Sequence, residues 1–557
     1  MVTFDEDKEE QRLYDFKRKE EEDVAQILSQ KYGLDYVDLS KVAINNDALR
    51  LITKEESQLA KLGIFNVIDK KLNVAVAAPN NDETIAAIKK LNERGYETKL
   101  YMVSEQNLDK VWTRYDDLSY AMQSKSGALD ISNDEIIAFL KKVESVEDIK
   151  KLIEEALGVK KVHRISNITE IIVAGALATD ASDIHLEPEK DYVQLRYRLD
   201  GVLIEILRFD NETYKLMLSR IKLISNMKLN LTGAQDGRFS IKIKDEEIEV
   251  RTSVLPGAYN ESIVMRILNP KTISVPMENL GMEKRLYDIV NNIIAKPNGM
   301  ILTTGPTGSG KTTTLYALLK KVRDPGIKII TIENPIEYHL PGIVQTQTDE
   351  GKNYTFLDGL RAAVRQDPDI IMIGEIRDND SADIAINSAL TGHLVFSTLH
   401  TNNAAGTFPR LIDLGVNSKV LTSAISIALA QRLVRKLCEK CRKEIVLEGK
   451  DKEVVNRIIA SIHTVDTIPQ TEKAFAPVGC PACNNTGFKG RIGVFEAILS
   501  DPAIEEVVNM NPSEREIKKA ALPQGLLDMS QDGIIKVLQG VTSIEELRRV
   551  VDIDSTE

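Results

Sequence analysis

Residues 305–312 have the order Gly-Pro-Thr-Gly-Ser-Gly-Lys-Thr, a combination of glycines, hydroxyls and one lysine that suits phosphate chemistry. An apolar run precedes this stretch and leucines at helical spacing follow it, which predicts a strand, a glycine-rich loop and a helix. Glycines let backbone N–H groups converge on phosphate oxygens, and the helix N-terminus adds partial positive charge. The alternative is a chance loop, but all fixed positions and both flanking elements agree with a P-loop.

The side chains of this loop have separate predicted tasks. Lys311 would reach the β- and γ-phosphates of ATP, and the Thr312 hydroxyl would complete the shell of Mg²⁺. The predicted nucleotide-binding residues are Gly305, Pro306, Thr307, Gly308, Ser309, Gly310, Lys311, Thr312 and Thr313.

Carboxylates end two later apolar runs. The run at 370–373 leads into Gly374 and Glu375, and we expect it to be a parallel strand beside the P-loop strand, where Glu375 would hold Mg²⁺ through water. The alternative is a core strand that ends in a surface glutamate. The run at 329–333 delivers Glu333 and Glu337, and either carboxylate could be the general base that orients an attacking water.

Two histidines, His393 and His400, fall at or near the ends of another predicted strand of the same sheet. A single histidine is more often structural than functional. Because this strand belongs to the predicted nucleotide sheet, a γ-phosphate sensor is the functional alternative.

The cysteines form two C-x-x-C pairs, and the chain has no others: Cys438, Cys441, Cys480 and Cys483. In a cytosolic chain this pattern favours tetrahedral Zn²⁺ over disulfides. A fully cysteine-ligated zinc keeps no open position, so the predicted site is structural rather than catalytic. The long interval between the pairs predicts a small subdomain. The alternative is four buried or redox-active thiols.

Length and composition limit the classes of protein. A chain of 557 residues exceeds one core, so we expect three or four domains. The net charge of −12 and the absence of a long basic stripe weigh against non-specific binding of nucleic acid, although a ring of subunits can hide a basic lumen. No apolar run approaches the roughly 20 residues that span a bilayer, and the acidic start lacks a signal-like apolar region. We therefore expect a cytoplasmic protein.

Four segments would position these residues. Residues 1–115 alternate strand and helix patterns and predict a small α/β domain, with a hairpin at 64–77. Residues 116–160 are polar, acidic and helix-prone, and predict a linker. Residues 161–270 predict an α+β module with a hairpin turn at Asp200-Gly201. Residues 271–557 alternate strands with helices and predict a mostly parallel sheet.

Several longer motifs resemble the secretion-ATPase superfamily, and more narrowly type IV pilus assembly ATPases and type II secretion ATPases. They are GPTGSGKTTTLYALL, TIENPIEY, LRAAVRQDPDIIMIGEIRD, LTGHLVFSTLHTNNA and AQRLVRKLCEKC. The resemblance covers nearly all of residues 160–557 and, less distinctly, the N-terminal segment. Retraction motors of the superfamily usually lack the N-terminal module and the four-cysteine insert, so the resemblance favours pilus extension or export.

The resemblance implies a multidomain α/β protein. A small N-terminal α/β domain and a PAS-like α+β domain would precede a RecA-like P-loop ATPase domain that carries a zinc-binding insert at 436–490 and C-terminal helices. By resemblance, Glu337 is the catalytic base, Glu375 the Walker-B residue and His400 the sensor. Arg251 and Arg266 fall where the family uses arginines at a subunit interface to stabilise the γ-phosphate transition state. The alternative for either arginine is a surface charge on a strand.

The resemblance also implies a function and partners. The protein would be a homohexameric ATPase that uses ATP, Mg²⁺ and Zn²⁺ and powers type IV pilus assembly through an inner-membrane platform protein. It would lie at the inner face of the cytoplasmic membrane without inserting, and would meet cytoplasmic domains of other pilus or secretion components. The alternatives are a type II secretion ATPase that drives pseudopilus assembly, a DNA-uptake or other nucleic-acid motor, and a nucleotide-gated scaffold.

Two departures from the family pattern bear on these expectations. Asn334 stands where the family commonly has aspartate, which places more of the catalytic work on Glu333 and Glu337. The N-terminal segment lacks a clear arginine–leucine–glycine repeat of the kind that binds cyclic di-GMP in some relatives, and we assign no such ligand.

Overall fold

A computed structural model describes residues 21–42, 44–49, 51–68, 70–117, 128–129, 143, 145–158, 164–229, 233–243, 246–270, 274–462 and 473–555. These residues belong to two compact units, one within 1–125 and 156–167 and the other within 126–155 and 168–557. The segment boundaries predicted from the sequence stay predictions, and most of the predicted linker lies outside the described residues.

The first unit is built on a four-stranded sheet. Its strands, in spatial order, are Asp35–Tyr36, Glu97–Met102, Lys71–Val76 and Leu62–Ile68. The last two pair antiparallel, as the predicted hairpin requires, although its turn residue 69 lies outside the described part. Its helices are 21–32, Asn46–Leu49, Lys54–Leu59, Asp82–Glu93 and Glu105–Asp117.

The second unit contains two seven-stranded sheets. We call the first the arginine sheet, because neighbouring strands carry Arg238, Arg251 and Arg266. Its strands, in spatial order, are Ala128–Leu129, Gln235–Ile243, Glu246–Pro256, Glu261–Leu268, Asp183–Pro188, Val193–Leu199 and Val202–Phe209. The predicted hairpin turn is present, with φ of 49° at Asp200 and 87° at Gly201. Helix Asn211–Ile224 begins where the Asp210 carboxylate accepts from the Thr213 N–H at 2.7 Å.

The other sheet, the P-loop sheet, is mostly parallel as predicted. Its strands, in spatial order, are Val344–Gln347, Ile329–Glu333, Ile370–Ile373, Leu394–Leu399, Gly299–Thr304, Ile425–Leu437 and Phe488–Leu499. Only the last pairs antiparallel with its neighbour. The prediction that the Glu375 strand lies beside the P-loop strand is wrong, because the strand Leu394–Leu399, which leads to His400, lies between them.

Helices cover both faces of the P-loop sheet, so its central strands are buried on both sides. A separate two-stranded sheet, Lys443–Val446 with Lys473–Ala476, lies between the cysteine pairs in sequence. None of the described helices is both long enough and apolar enough to cross a membrane. The described part of the second unit shares two helices with the first unit, Val146–Gly158 and Arg164–Ala178. Apart from short 3₁₀ turns, its other described helices are Asn211–Ile224, Lys284–Ile294, Lys311–Val322, Phe356–Val364, Asn379–Leu390, Thr407–Asp413, Ser418–Ala424, Gly449–Ala460, Pro502–Val508, Glu514–Ala521, Met529–Leu538 and Ile544–Val550.

Candidate active site

The predicted P-loop, residues 305–310, connects the buried strand Gly299–Thr304 to the helix Lys311–Val322. Three of its glycines have positive φ: 145° at Gly305, 79° at Gly308 and 94° at Gly310. Side chains disfavour these conformations, so glycine permits the tight path that this loop follows. The loop therefore has the backbone geometry of an anion site at a helix N-terminus.

The Lys311 ammonium lies folded over this loop. Its Nζ donates to the carbonyl oxygens of Gly305 at 2.7 Å and Pro306 at 3.1 Å. Burial lowers the pKa of Lys311, and the nearby Glu375 carboxylate opposes this change. A partly desolvated cation close to the loop amides suits the β- and γ-phosphates of a nucleotide.

A glutamine far away in sequence supports the P-loop. Gln431 is buried, and its Nε2 donates to the carbonyl of Ser309 at 2.7 Å. A Cβ on Gly305 would lie 2.7 Å from the Gln431 carbonyl, and a Cβ on Gly310 would lie 2.8 Å from Nε2. The contact is therefore a second reason for glycine at both positions.

Two buried polar atoms at this contact lack hydrogen-bond partners among the described residues. They are the Ser309 hydroxyl and Oε1 of Gln431. Most buried polar atoms in proteins have partners. The Ser309 hydroxyl can donate to a phosphate oxygen, whereas Oε1 of Gln431 can only accept and would need a donor such as water. The side chains at 311 and 312 add an ammonium and a hydroxyl, which fits a magnesium-bound nucleotide phosphate.

Glu375 and His400, predicted separately, meet in space. His400 Nε2 lies 3.3 Å from one carboxylate oxygen of Glu375, and the other oxygen of Glu375 pairs with Arg377. Their strands are direct neighbours, so their carboxyl ends lie at the same edge of the sheet. His393 lies at the other end of its strand, where Nδ1 contacts the Ser388 carbonyl at 3.1 Å.

The loop that follows His400, residues 400–406, is held on two sides. The Thr401 N–H donates to the hydroxyl of Thr304, the last residue of the P-loop strand, at 2.8 Å. The Ala404 N–H donates to Glu496 at 2.8 Å. The loop that begins at His400 is therefore hydrogen-bonded to the P-loop strand on one side and to the antiparallel strand Phe488–Leu499 on the other.

Glu333 and Glu337 occupy different environments. The Glu333 side chain is buried, and its carboxylate accepts from the hydroxyls of Tyr316 and Thr331 and from the amide of Gln345. Burial raises the pKa of Glu333, while these donors oppose the rise. Glu337 lies in the following loop with about a third of its side chain exposed. Water can reach the Glu337 carboxylate far more easily.

The arginine sheet faces the Glu337 loop. Arg251 Nη2 donates to the Ile336 carbonyl at 2.6 Å, and its Nη1 lies 3.6 Å from Glu337. Arg251 is opposite both Arg238 and Arg266 in register, and Arg266 also pairs with Asp183 at 3.0 Å.

These arginines and residues 334–339 line a cavity of about 1300 Å³. Like charges opposite one another destabilise a sheet, and carboxylates offset part of this charge: Arg251 pairs with Glu249 at 2.8 Å and Arg266 with Asp183. A second cavity of about 430 Å³ begins at Gly310, Thr313 and Thr314 and continues along Leu433 and Phe488. Its place beside the start of the P-loop helix suits the base and ribose of a nucleotide.

The four cysteines form one cluster, which we call the cysteine centre. Its Sγ atoms all lie within 4.8 Å of one another, and three pairs are 3.7, 3.8 and 3.9 Å apart. Tetrahedral Zn²⁺ with Zn–S bonds of about 2.3 Å requires about 3.8 Å between sulfurs. The backbone N–H groups of Gly479, Cys480 and Gly487 point at Sγ atoms at 3.2–3.4 Å. The donor set fits structural zinc.

Residues next to the cysteine centre contact the arginine sheet and the helix Val146–Gly158. The Gly490 N–H donates to Asp200 in the hairpin turn at 2.9 Å, and the Val146 N–H donates to Asn484 at 3.0 Å. This centre is attached to the site through the strand Ile425–Leu437, which carries Gln431 in its middle and leads to Cys438.

Sequence reasoning brought together the P-loop, Glu375 and His400 but missed the supporting residues Gln431, Thr304, Glu496 and Gln345. Gln431 stands inside a motif used for the family resemblance, which is the one signal that could have drawn attention to it. The contacts of Thr304, Glu496 and Gln345 depend on which strands lie next to each other, and the sequence does not show that order.

Comparisons with known proteins give consistent results. The family model described as "Type II/IV secretion system protein" matches residues 159–549. The chain is 40% identical over 391 residues to "Type II secretion system protein E" of Aeromonas hydrophila, covering 70% of this chain and 76% of that protein. It is 34% identical over 533 residues to "Type IV pilus assembly ATPase PilB" of Myxococcus xanthus, covering 95% and 91%. The solved ATPase DotB of Legionella pneumophila shares the fold, with a TM-score of 0.50, 20% identity and coverage of 69% and 94%.

Proposed function

Because the chain belongs to the type II/IV secretion system protein family, it is an ATP-hydrolysing enzyme of the secretion and pilus class, and we propose that it powers type IV pilus assembly. The pilus-assembly relative aligns along 95% of this chain, whereas the Aeromonas type II secretion relative aligns along 70%. The N-terminal unit therefore favours pilus assembly. A type II secretion motor that drives pseudopilus growth is the second candidate.

ATP would bind with its phosphates on residues 305–312 and its base in the cavity that begins at Thr313. The loop amides and Lys311 would hold the β- and γ-phosphates. Thr312 and Glu375 would hold Mg²⁺, which neutralises charge on the transferred phosphoryl group. The Ser309 hydroxyl supports this assignment, because it is buried without a partner among the described residues and can donate to a phosphate oxygen.

We assign the general base to Glu337. The observation that carries this assignment is the partly exposed carboxylate of Glu337, which lies 3.6 Å from Arg251 at the wall of a cavity that Arg266 also lines. A carboxylate at the C-terminal edge of the sheet can orient water toward the γ-phosphate, and guanidinium groups can stabilise the charge that develops there. His400 beside Glu375 would sense the γ-phosphate through a hydrogen bond.

We further propose a homohexameric ring, peripheral at the inner face of the cytoplasmic membrane, that acts on an inner-membrane platform protein. Rotation of the two sheet layers as rigid bodies would convert turnover into motion of neighbouring protomers. The cysteine centre would hold one structural Zn²⁺ through Cys438, Cys441, Cys480 and Cys483.

The function is tested with two variants of the purified full-length chain. Lys311→Ala is expected to lose nucleotide affinity, and Glu337→Gln to bind ATP but turn over roughly 100-fold more slowly or worse, the usual scale for one preorganised catalytic group. Lys321→Ala is the matched control, because Lys321 lies on the same helix and pairs with Glu278 at 2.7 Å, away from the loop. ATPase activity that survives both substitutions would sink the proposed mechanism.

The choice between pilus assembly and secretion is tested in cells. A chromosomal Glu337→Gln variant is expected to abolish surface pili and leave export of folded exoproteins intact. Loss of export with normal pili would instead favour the second candidate.

A further inference from the structure

Gln345 is the centre of a hydrogen-bond network beside the glutamate loop, which we define as residues 334–340. Its Nε2 donates to Glu333 at 3.1 Å and to the Tyr338 carbonyl at 3.2 Å, and lies 3.4 Å from the Tyr316 hydroxyl. Its Oε1 accepts from the Leu340 N–H at 2.6 Å. One side chain therefore joins the buried carboxylate, the P-loop helix and two points of the glutamate loop.

The glutamate loop depends on such contacts because it has no helix or strand of its own. Its far end is held by Gln347, whose Oε1 accepts from the Ile336 N–H at 3.2 Å, and by the contact of Arg251 with the Ile336 carbonyl. Gln345 and Gln347 are two positions apart in the strand Val344–Gln347, so their side chains lie on the same face. The side-chain amides of Gln345 and Gln347 therefore hold the glutamate loop in the way that backbone hydrogen bonds hold a regular strand.

Tyr316 connects the network to the P-loop helix. It is fully buried, its hydroxyl donates to Glu333, and its ring packs edge-to-face on Tyr338 with 4.8 Å between centroids. It lies five residues after Lys311 on the same helix. The helix that follows the P-loop is therefore connected to the glutamate loop in two ways: by hydrogen bonds through Glu333 and by the packing of the Tyr316 ring on Tyr338.

We propose that Tyr316, Glu333 and Gln345 form a positioning unit that fixes the Glu337 carboxylate relative to the P-loop. The proposal rests on the proposed function, in which Glu337 is the base. It gives Glu333 a positioning role in place of the catalytic role considered from the sequence. Both Glu333 oxygens are occupied by donors and the side chain is buried, so an attacking water has no access to it.

The expected effect is kinetic, because a catalytic group misplaced by about 1 Å can cost about 100-fold in rate. Gln345→Met keeps the length of the side chain and removes all its hydrogen bonds. We expect kcat to fall about 10- to 100-fold, with affinity for a fluorescent ATP analogue changed less than about threefold. Tyr316→Phe, which keeps the ring on Tyr338, is expected to lower kcat in the same way but less.

Thr346→Val is the matched control. Thr346 stands between the two glutamines, but its hydroxyl contacts Tyr354 at 3.0 Å on the opposite face of the strand. This variant removes a hydrogen bond from the same strand without touching the glutamate loop, so its kcat should match that of the wild type. Equal losses of kcat in Thr346→Val and Gln345→Met would mean that general damage to the strand explains both, and would overturn the proposal.

Two further variants separate positioning from chemistry. Glu333→Gln keeps an oxygen for Thr331 and Gln345, so we expect it to retain more than about a tenth of kcat. In single-turnover assays, Gln345→Met added to Glu337→Gln should cause no further loss, because a residue that acts through Glu337 has nothing left to position. Additive losses, or a Glu333→Gln enzyme as inactive as Glu337→Gln, would overturn the positioning unit.

The assignment of the base and the positioning unit can be overturned separately. If Glu337→Gln turns over normally, the proposed base is wrong. If Glu337→Gln is inactive while Gln345→Met and Tyr316→Phe have normal kcat, the base stands and only the positioning unit is wrong.

Discussion

The P-loop and the cysteine centre lie at different places along the strand Ile425–Leu437, and in the described part of the chain their polar atoms are in opposite states: unpartnered at one and paired at the other. At the P-loop, the Ser309 hydroxyl and Gln431 Oε1 are buried without partners among the described residues, and burial lowers the pKa of Lys311. At the cysteine centre the sulfurs are close together and receive backbone N–H groups.

The difference distinguishes a site that exchanges its ligand from a site that keeps it. A P-loop must release its nucleotide in every cycle, so its hydrogen-bonding groups are satisfied only for part of the time. A tetrahedral sulfur site has no open position, and the metal contributes directly to folding. Substitutions at the two loops should therefore change different quantities.

The largest effect is expected from Cys480→Ser. Zinc binding contributes about 10–16 kcal/mol of apparent free energy in zinc-finger peptides, so loss of one ligand should lower the melting temperature sharply. Metal analysis should find one Zn per wild-type chain and little in the variant, and hydrogen exchange should speed up first in Phe488–Leu499. Ala482→Ser, in the same turn, is the control. A variant that keeps its metal and its melting temperature would show that the centre does not act as a zinc site.

A smaller effect is expected from Gly310→Ala. The left-handed conformation costs an L-residue about 1–2 kcal/mol, and the new Cβ would lie 2.8 Å from Gln431 Nε2. Nucleotide affinity, measured by titration with a fluorescent analogue, should fall about 10-fold or more while zinc content stays at one. Gly392→Ala is the control, because Gly392 also has positive φ, at 114°, but a Cβ there meets nothing within 4 Å. Equal affinity losses in both variants would contradict a specific contact at the P-loop.

The smallest effect is expected from Gln431→Leu. It removes one hydrogen bond to the Ser309 carbonyl, with a net value of about 1 kcal/mol, and should raise KM for ATP about fivefold with a smaller change in kcat. Because Gln431 shares its strand with the approach to Cys438, the same protein should be assayed for zinc. Loss of zinc in this variant would show that the two loops do not behave as independent sites.

The sequence predicted what is local in this site. The P-loop is contiguous, and Glu375 and His400 each follow an apolar run that the sequence predicts as a strand of the same sheet. The contact of Gln431 with Ser309 joins residues 122 positions apart and depends on which strand lies beside the P-loop strand. Periodicity carries no such information, and it also placed the Glu375 strand next to the P-loop strand, one position too close.

The two glutamates of one motif mark another limit. Glu333 and Glu337 follow the same strand, and residue type gives both the same chemistry. Only the packing of Tyr316 and Gln345 around Glu333 separates a buried hydrogen-bonded carboxylate from an exposed one. The strand Asp183–Pro188 was also missed, since its acidic and histidine side chains hide its position in the middle of the arginine sheet.

The 13-residue strand Ile425–Leu437 connects Gln431, which contacts the P-loop, with Cys438 of the cysteine centre. Cys438 lies seven positions after Gln431, a span of about 23 Å at about 3.3 Å per residue. The strand is hydrogen-bonded to both of its neighbours, so it would tilt only together with them. A joint tilt of about 10° around the Gln431 end would displace the Cys438 end by about 4 Å.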